Sequence, residues 1–202
     1  MLRFAVVRLP PELSGRWNHN THYFPLALSA LAATARRRAL DVGCGDGLLV
    51  RLLAGRCGEV VGVDPWTEPI TDVPNVTVQR TDFLTADLAP GSFDLVCSFA
   101  AIHHLPFDAA LTRMASLVAP GGRLVVVGLV RYTPMTYALG AAGIVPHRVM
   151  SRVRGYWDHP APVLDPDRTW TEVRAGTRAI IPGARMRLRL YWRYSIEWTR
   201  PR

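Results

Sequence analysis

Apolar positions along the chain gather into short β-branched or aromatic runs separated by glycine, proline and acids, alternating with stretches of helical period. Strands are predicted over Ala39 to Val42, Glu59 to Val63, Val76 to Gln79, Phe93 to Ser98 and Arg123 to Gly128. Helices are predicted over Tyr23 to Arg37, with Pro25 tolerable in a first turn, over Leu48 to Leu53, over Phe107 to Val118, and around Arg168 to Ala179. The stretch before Asn20 contains prolines and reads as irregular. The links after Asp64 and Asp82 carry Pro65, Pro69, Pro74 and Pro90, so full crossover helices are not expected there.

Two later segments read differently. From Ala184 to Thr199 the apolar positions are all even, through Met186, Leu188, Leu190, Trp192, Tyr194, Ile196 and Trp198, with Arg185, Arg187, Arg189 and Arg193 between them. Unchanged parity predicts two strands joined by an odd connection or a bulge, with the arginines on a solvent face. Residues 130–167 are broken by Pro134, Gly140, Gly143, Pro146, Gly155, Pro160, Pro162 and Pro166. Within them Val149, Met150, Val153, Tyr156 and Trp157 recur at helical spacing among Arg148, Arg152 and Arg154. A helix packed on the core or over a pocket is expected there ahead of one lying on a lipid surface.

Composition narrows the class. A chain of 202 residues that is 49% hydrophobic suits one domain, burying about 70% of its unfolded surface. It has no apolar run long enough to span a bilayer and no leader pattern, so a cytoplasmic protein is expected. Cys44, Cys57 and Cys97 are odd in number and lack metal or redox spacing, which predicts reduced core thiols and no metal site. The net charge of +8 lies entirely in the tail: residues 1–130 hold 11 Arg and 11 acids, residues 131–202 hold 13 Arg and 5 acids. Every basic residue is Arg and none is Lys, so coding bias explains the balance as well as an acidic partner does.

The candidate chemistry starts where the first strand breaks into Gly43, Gly45 and Gly47, with Asp41 before the loop and Asp46 inside it. Three glycines in five residues suit a sharp turn that lets a ligand approach the backbone. The spacing G-x-G-x-G is not the dinucleotide G-x-G-x-x-G, and carboxylates here would repel a diphosphate. They suit a ligand with a cationic end, such as S-adenosylmethionine, with its ammonium and sulfonium. Asp64, ending the second strand, can accept from two ribose hydroxyls. After the third strand, Asp82 can accept from an adenine amine and Phe83 can cover the ring. For single acids, capping or a turn is the competing reading.

These residues carry a resemblance to the Rossmann-like class I S-adenosylmethionine-dependent methyltransferases, especially their small-molecule branch. The matching stretches are ALDVGCGDG (39–47), VVGVD (60–64), RTDF (80–83), FDLVCSFAAIHHL (93–105) and LVAPGGRLVVVG (117–128), covering roughly residues 38–129. The resemblance implies a doubly wound α/β fold: a mostly parallel seven-stranded sheet, its last strand antiparallel, in three α/β/α layers. It implies a single domain, with 1–37 as an N-terminal cover, 38–129 as the cofactor core, 130–167 as a substrate lid, and 168–202 as a C-terminal helix and hairpin. It assigns the methionine part to the glycine loop, the ribose to Asp64 and the adenine amine to Asp82, and the full set of expected cofactor contacts is Asp41, Gly43, Cys44, Gly45, Gly47, Asp64, Pro65, Trp66, Asp82, Phe83, Phe99 and Tyr23.

The implied reaction is methyl transfer to a small apolar or aromatic metabolite at O, N or C. His103 and His104, at the carboxyl edge of the sheet, are the candidates for a general base, with His19, His22 and Tyr23 behind them. The group Trp17 to Tyr23 is dense in aromatic and hydrogen-bonding side chains and is expected to close over the cofactor. Alternatives are an RNA methyltransferase using the Arg-rich tail and a non-catalytic S-adenosylmethionine-binding protein. A small-molecule acceptor is expected, with nucleic acid and peripheral membrane contact not favoured.

Overall fold

The computed structural model describes residues 15–158 and 164–202; the expectations for residues before Gly15 and at Pro160 and Pro162 lie outside the described residues. Seven strands form one sheet: β1 (Arg38–Val42), β2 (Glu59–Val63), β3 (Val76–Gln79), β4 (Phe93–Phe99), β5 (Val118–Leu129), β6 (Arg185–Leu188) and β7 (Arg193–Thr199). Their spatial order is β3-β2-β1-β4-β5-β7-β6. Pairings from β3 through β5 are parallel, and β7 runs antiparallel to both β5 and β6. The central strands are buried along nearly their whole length, which is why they read as continuous apolar runs rather than as alternation.

Helices cover both faces. On one side α1 (Phe24–Ala32) and α2 (Leu48–Ala54) build a core with Trp17, Leu95, Val125 and Tyr191. On the other, α3 (Phe107–Leu117) and α6 (Trp170–Ile180) pack Leu111, Met114, Trp170 and Val173 against Leu40, Val96 and Ile196. The strand order reverses between β1 and β4, so their carboxyl ends diverge and leave a crevice. As the prolines predict, no helix lies between β2 and β3 or between β3 and β4.

Several boundaries differ from the sequence reading. Helix α1 begins after a 3-10 turn, Thr21–Tyr23, and is shorter than Tyr23 to Arg37. Strand β5 starts at Val118 rather than Arg123, because the register against β4 shifts near Phe93 and absorbs Pro120 as an irregularity. Gly121 and Gly122 are then tied to Arg200 across the antiparallel neighbour. The β6–β7 connection is odd as expected: the Arg189 N–H donates to the Arg193 carbonyl, enclosing Leu190, Tyr191 and Trp192.

Residues 130–158 form two helices, α4 (Pro134–Ala142), with a Thr133 capping box, and α5 (Ile144–Arg154). Gly155, at φ 71°, ends α5 and leaves Tyr156 and Trp157 beyond it. Only part of the expected packing forms: Met150 and Trp157 rest on the first core, whereas Val149 and Val153 are 52% and 74% exposed. The arginine face of the hairpin also needs correcting. Arg185 and Arg187 are exposed, but Arg189 pairs with Glu197 at 2.8 Å, and Arg193 turns inward onto Asn20.

Candidate active site

The crevice at the β1/β4 switch point opens into a cleft of about 850 Å³. Its floor is the β1–α2 loop, where Gly43, Gly45 and Gly47 hold φ of 74°, 53° and 76°. Two of these glycines also answer to close packing. A Cβ on Gly43 would lie 2.1 Å from the Ala101 Cβ, and one on Gly47 would lie 2.3 Å from Ile70 Cδ1. Gly47 is the N-cap of α2 and stands behind the cleft wall, whereas Gly43, Cys44 and Gly45 line it.

Asp64, ending β2, turns toward this loop. One of its oxygens accepts from the Gly45 N–H at 3.1 Å and the other from the Trp66 N–H at 2.8 Å, while the Thr67 hydroxyl donates to the Gly45 carbonyl at 2.6 Å. A carboxylate offers about four acceptor positions, so two remain for ligand donors. Asp41, at the end of β1, is 3% exposed and receives one weak bond, from the Cys97 thiol at 3.6 Å. Burial, reinforced by the charges of Asp64 and Asp46, pushes its carboxyl up to about 7 despite the thiol bond. This site favours a cation.

Asp82 lines the cleft with one oxygen held by the Leu84 N–H at 2.8 Å. Its neighbour Phe83 belongs chiefly to the second core: it is 3% exposed, and the Arg113 guanidinium lies 5.5 Å from its ring centre. The freely presented ring at this edge is Trp66, 73% exposed, beside Pro65. Phe83 still contributes to the cleft lining from within that core.

The far wall comes from Phe99, Ala100, Ala101, His104 and Leu105 after β4. Ala100 sits at φ 54°, an uncommon conformation for a residue with a side chain, and its N–H is held by the Val127 carbonyl at 2.7 Å. In the 3-10 turn Ile102–His104 the adjacent imidazoles lie 4.2 Å apart between ring centres, and His104 lines the cleft whereas His103 does not. Burial, with smaller effects from His104 and Arg193, pushes His103 down to about 4, and its Nδ1 is buried without a partner. Burial also lowers His104, opposed by Asp64.

The N-terminal segment closes one side through Asn18, Asn20, Thr21 and Phe24. Asn18 Oδ1 accepts from the N–H groups of Asn20 and Thr21 at 2.9 and 2.8 Å, which fixes the turn. Tyr23 departs from its expected place: its hydroxyl donates to the Leu190 carbonyl at 3.0 Å, and Phe24 lines the cleft instead. His19 and His22 also lie off the cleft. His19 bonds His147 at 3.0 Å and stacks on Tyr191 at 4.6 Å between ring centres. Burial, aided by the Arg193 charge, lowers it to about 3.

Sequence reading missed Thr67 and Ile70, which carry no motif, and Ala100, whose backbone strain no side chain announces. Among the described residues no group of acids, histidines and cysteines could hold a metal ion. The set of carboxylate acceptors instead suits a ligand with a cationic end near Asp41, hydroxyls near Asp64 and an amine near Asp82.

Residues 40–126 match the methyltransferase-domain family. The chain is 38% identical to an uncharacterized methyltransferase of Mycobacterium tuberculosis over 193 residues, covering 92% of this chain and 98% of that protein. It is 34% identical over 125 residues to a ubiquinone biosynthesis O-methyltransferase of Burkholderia ambifaria, covering 52% of this chain and 54% of that protein. Among solved structures it is similar to the YcgJ protein of Bacillus subtilis, with TM-score 0.55, 20% identity, and 82% and 69% of the two chains covered. It is also similar to phosphoethanolamine N-methyltransferase 2 of Haemonchus contortus, solved with S-adenosylhomocysteine, with TM-score 0.52, 20% identity, and 81% and 38% covered. With the expected strand order and the glycine loop at the switch point, the chain belongs to the S-adenosylmethionine-dependent methyltransferases.

Proposed function

We propose that the protein methylates a small apolar or aromatic metabolite at an oxygen, nitrogen or carbon atom, by in-line displacement. The observation that carries this reading is the composition of the cleft beyond the glycine loop, where Phe24, Phe99, Leu105 and Trp157 stand among a few polar groups, Asn18, Asn20, Thr21 and His104. Such a wall selects a flat or apolar body and orients it through few hydrogen bonds. The ubiquinone biosynthesis O-methyltransferases among its relatives favour oxygen on a ring as the accepting atom.

Bound against the loop, S-adenosylmethionine supplies a methyl group already activated on a sulfonium. Asp41 and the loop hold the amino-acid end, Asp64 the ribose and Asp82 the adenine amine. The aromatic walls exclude water and align the acceptor, and orientation of this kind is worth up to about 7 to 11 kcal/mol. His104 is the group placed to take a proton from a hydroxyl or phenol. Its lowered pKa keeps the imidazole neutral, and so able to accept, at pH 7.

Three arginines of the tail are engaged within the fold, Arg168 with Asp108, Arg189 with Glu197, and Arg200 with the carbonyls of Ser116 and Val118, which reduces the charge left for RNA.

Incubation with labelled S-adenosylmethionine and metabolite extracts, read as a mass gain of one methyl group, tests the reading. Label must appear in a small apolar product; label in RNA alone, or in nothing, overturns it. For the base, His104→Ala should lose about 10²- to 10⁴-fold in kcat at saturating cofactor. His103→Ala should affect turnover much less. Wild-type kcat in His104→Ala would leave alignment alone to drive transfer.

A further inference from the structure

Exposed apolar surface is concentrated in one place. Of ten large hydrophobic side chains exposed among the described residues, nine fall between Tyr132 and Leu164. On α5 the stripe Val145, Val149 and Val153, spaced by four and therefore on one helix face, is 67%, 52% and 74% exposed, and Met135 on α4 adds 59%. Helix α5 has no buried residue.

The opposite side is anchored, so this face is fixed outward. Met150 rests on the first core, Gly140 lies where a Cβ would meet the Trp192 ring at 1.9 Å, and a Cβ on Gly143 would lie 3.1 Å from the Tyr191 backbone nitrogen. The charge of the segment is one-sided as well: residues 131–164 hold four arginines against one acid, Asp158, and α5 itself carries three arginines and no acid. Arg148 and Arg152 are both exposed beside the valine stripe.

We propose that α4 and α5 form a docking surface for an anionic lipid membrane. An apolar stripe flanked only by cations is complementary to a bilayer interface with negative headgroups, since the valines enter the headgroup boundary while the guanidinium groups bond phosphates. A second copy of the chain fits poorly, because a two-fold contact through this face would set arginines against arginines with no acid between them. The surface also adjoins the active site. Trp157, three residues beyond α5, lines the cleft; its N–H donates to the Trp17 carbonyl at 2.8 Å, and exposed Arg16 lies 5.9 Å from its ring centre. Resting on the methyltransferase reading above, the docked protein takes a lipid-soluble acceptor from the bilayer into the aromatic half of the cleft.

Co-sedimentation with phosphatidylcholine vesicles, with and without phosphatidylglycerol, tests the surface. The wild type should bind the anionic vesicles, and salt should weaken the binding. Val149→Glu/Val153→Glu should bind at least about tenfold more weakly, and Arg148→Gln/Arg152→Gln roughly 25-fold more weakly at about fivefold per arginine. Both variants change groups outside the cleft and should keep wild-type affinity for S-adenosylhomocysteine in vesicle-free calorimetry. The proposal is overturned if anionic vesicles leave the wild type in solution, if Val149→Glu/Val153→Glu binds them unchanged, or if that variant only splits a dimer. Wild type that fails to bind S-adenosylhomocysteine would instead sink the cofactor reading and leave the vesicle result standing.

Discussion

Asp41 concentrates the conflict between stability and binding in one side chain. Its carboxyl is nearly fully buried, with one thiol donor and two other acids nearby, so the folded protein holds it at about 7 against an ordinary value of 3.8. A raised folded pKa in an acid means that folding favours the protonated form. That stability is complete below about pH 4 and is lost as pH rises toward 7. A tenfold change in proton affinity corresponds to about 1.4 kcal/mol, so the loss by pH 8 is on the order of a few kcal/mol. Asp41→Asn should therefore be more stable than wild type at pH 8, with the gain shrinking toward nothing as pH approaches 4, measured by urea unfolding across pH. Under the proposed cofactor placement the same variant should bind S-adenosylhomocysteine more weakly, because the ammonium would lose its counter-charge. A gain of equal size at every pH would show that the buried carboxyl is not the cause.

At the scale of elements, Gly43 shows why the glycine loop tolerates little change. Ala there meets two costs, a left-handed backbone at φ 74° and a methyl 2.1 Å from Ala101. Gly183, at φ 85° with open space around it, meets only the first. The backbone cost is about 1 kcal/mol. Gly183→Ala should thus lose about that much stability, and Gly43→Ala should lose at least about 2 kcal/mol once the contact is added. Equal losses in denaturation would remove the packing argument. Strands β2 and β3 were legible to the residue because short β-branched runs between turn residues leave no alternative pairing. The start of β5 was not, since Pro120 and two glycines read as a turn until Arg200 and β4 supply their partners. The outward face of α5 was equally hidden: its period fits a core helix, and Met150 resting on the first core, with Gly143 close to Tyr191, decides which side turns in.

For the whole molecule, the unreadable part is contact between the two ends of the described chain. The N-terminal cover was legible as a dense polar and aromatic group, but not the device that holds it. Arg193 donates to Asn20 Oδ1 through two nitrogens, at 3.2 and 2.8 Å, and to the Tyr191 carbonyl at 3.1 Å. Among the described residues no carboxylate pairs with it. Desolvation lowers its pKa to about 10, so it remains charged at pH 7, and neutral acceptors carry that charge. Tyr23 adds a second tie to Leu190. Because the cover brings Asn18, Asn20 and Thr21 to the cleft, the latch couples the terminal hairpin to ligand binding. Asn20→Ala strips two donors of their acceptor, a loss of about 1 to 3 kcal/mol that falls on the cover rather than on the sheet. Amide hydrogen exchange over residues 17–24 should accelerate about 5- to 100-fold while β1, β4 and β5 keep their protection. If the cover closes over the cofactor as proposed, saturating S-adenosylhomocysteine should recover part of the lost protection. Unchanged exchange in this segment would mean that aromatic packing around Trp17 holds the cover without Arg193. Acceleration spread evenly over the sheet would mean that the cover and the domain unfold as one unit.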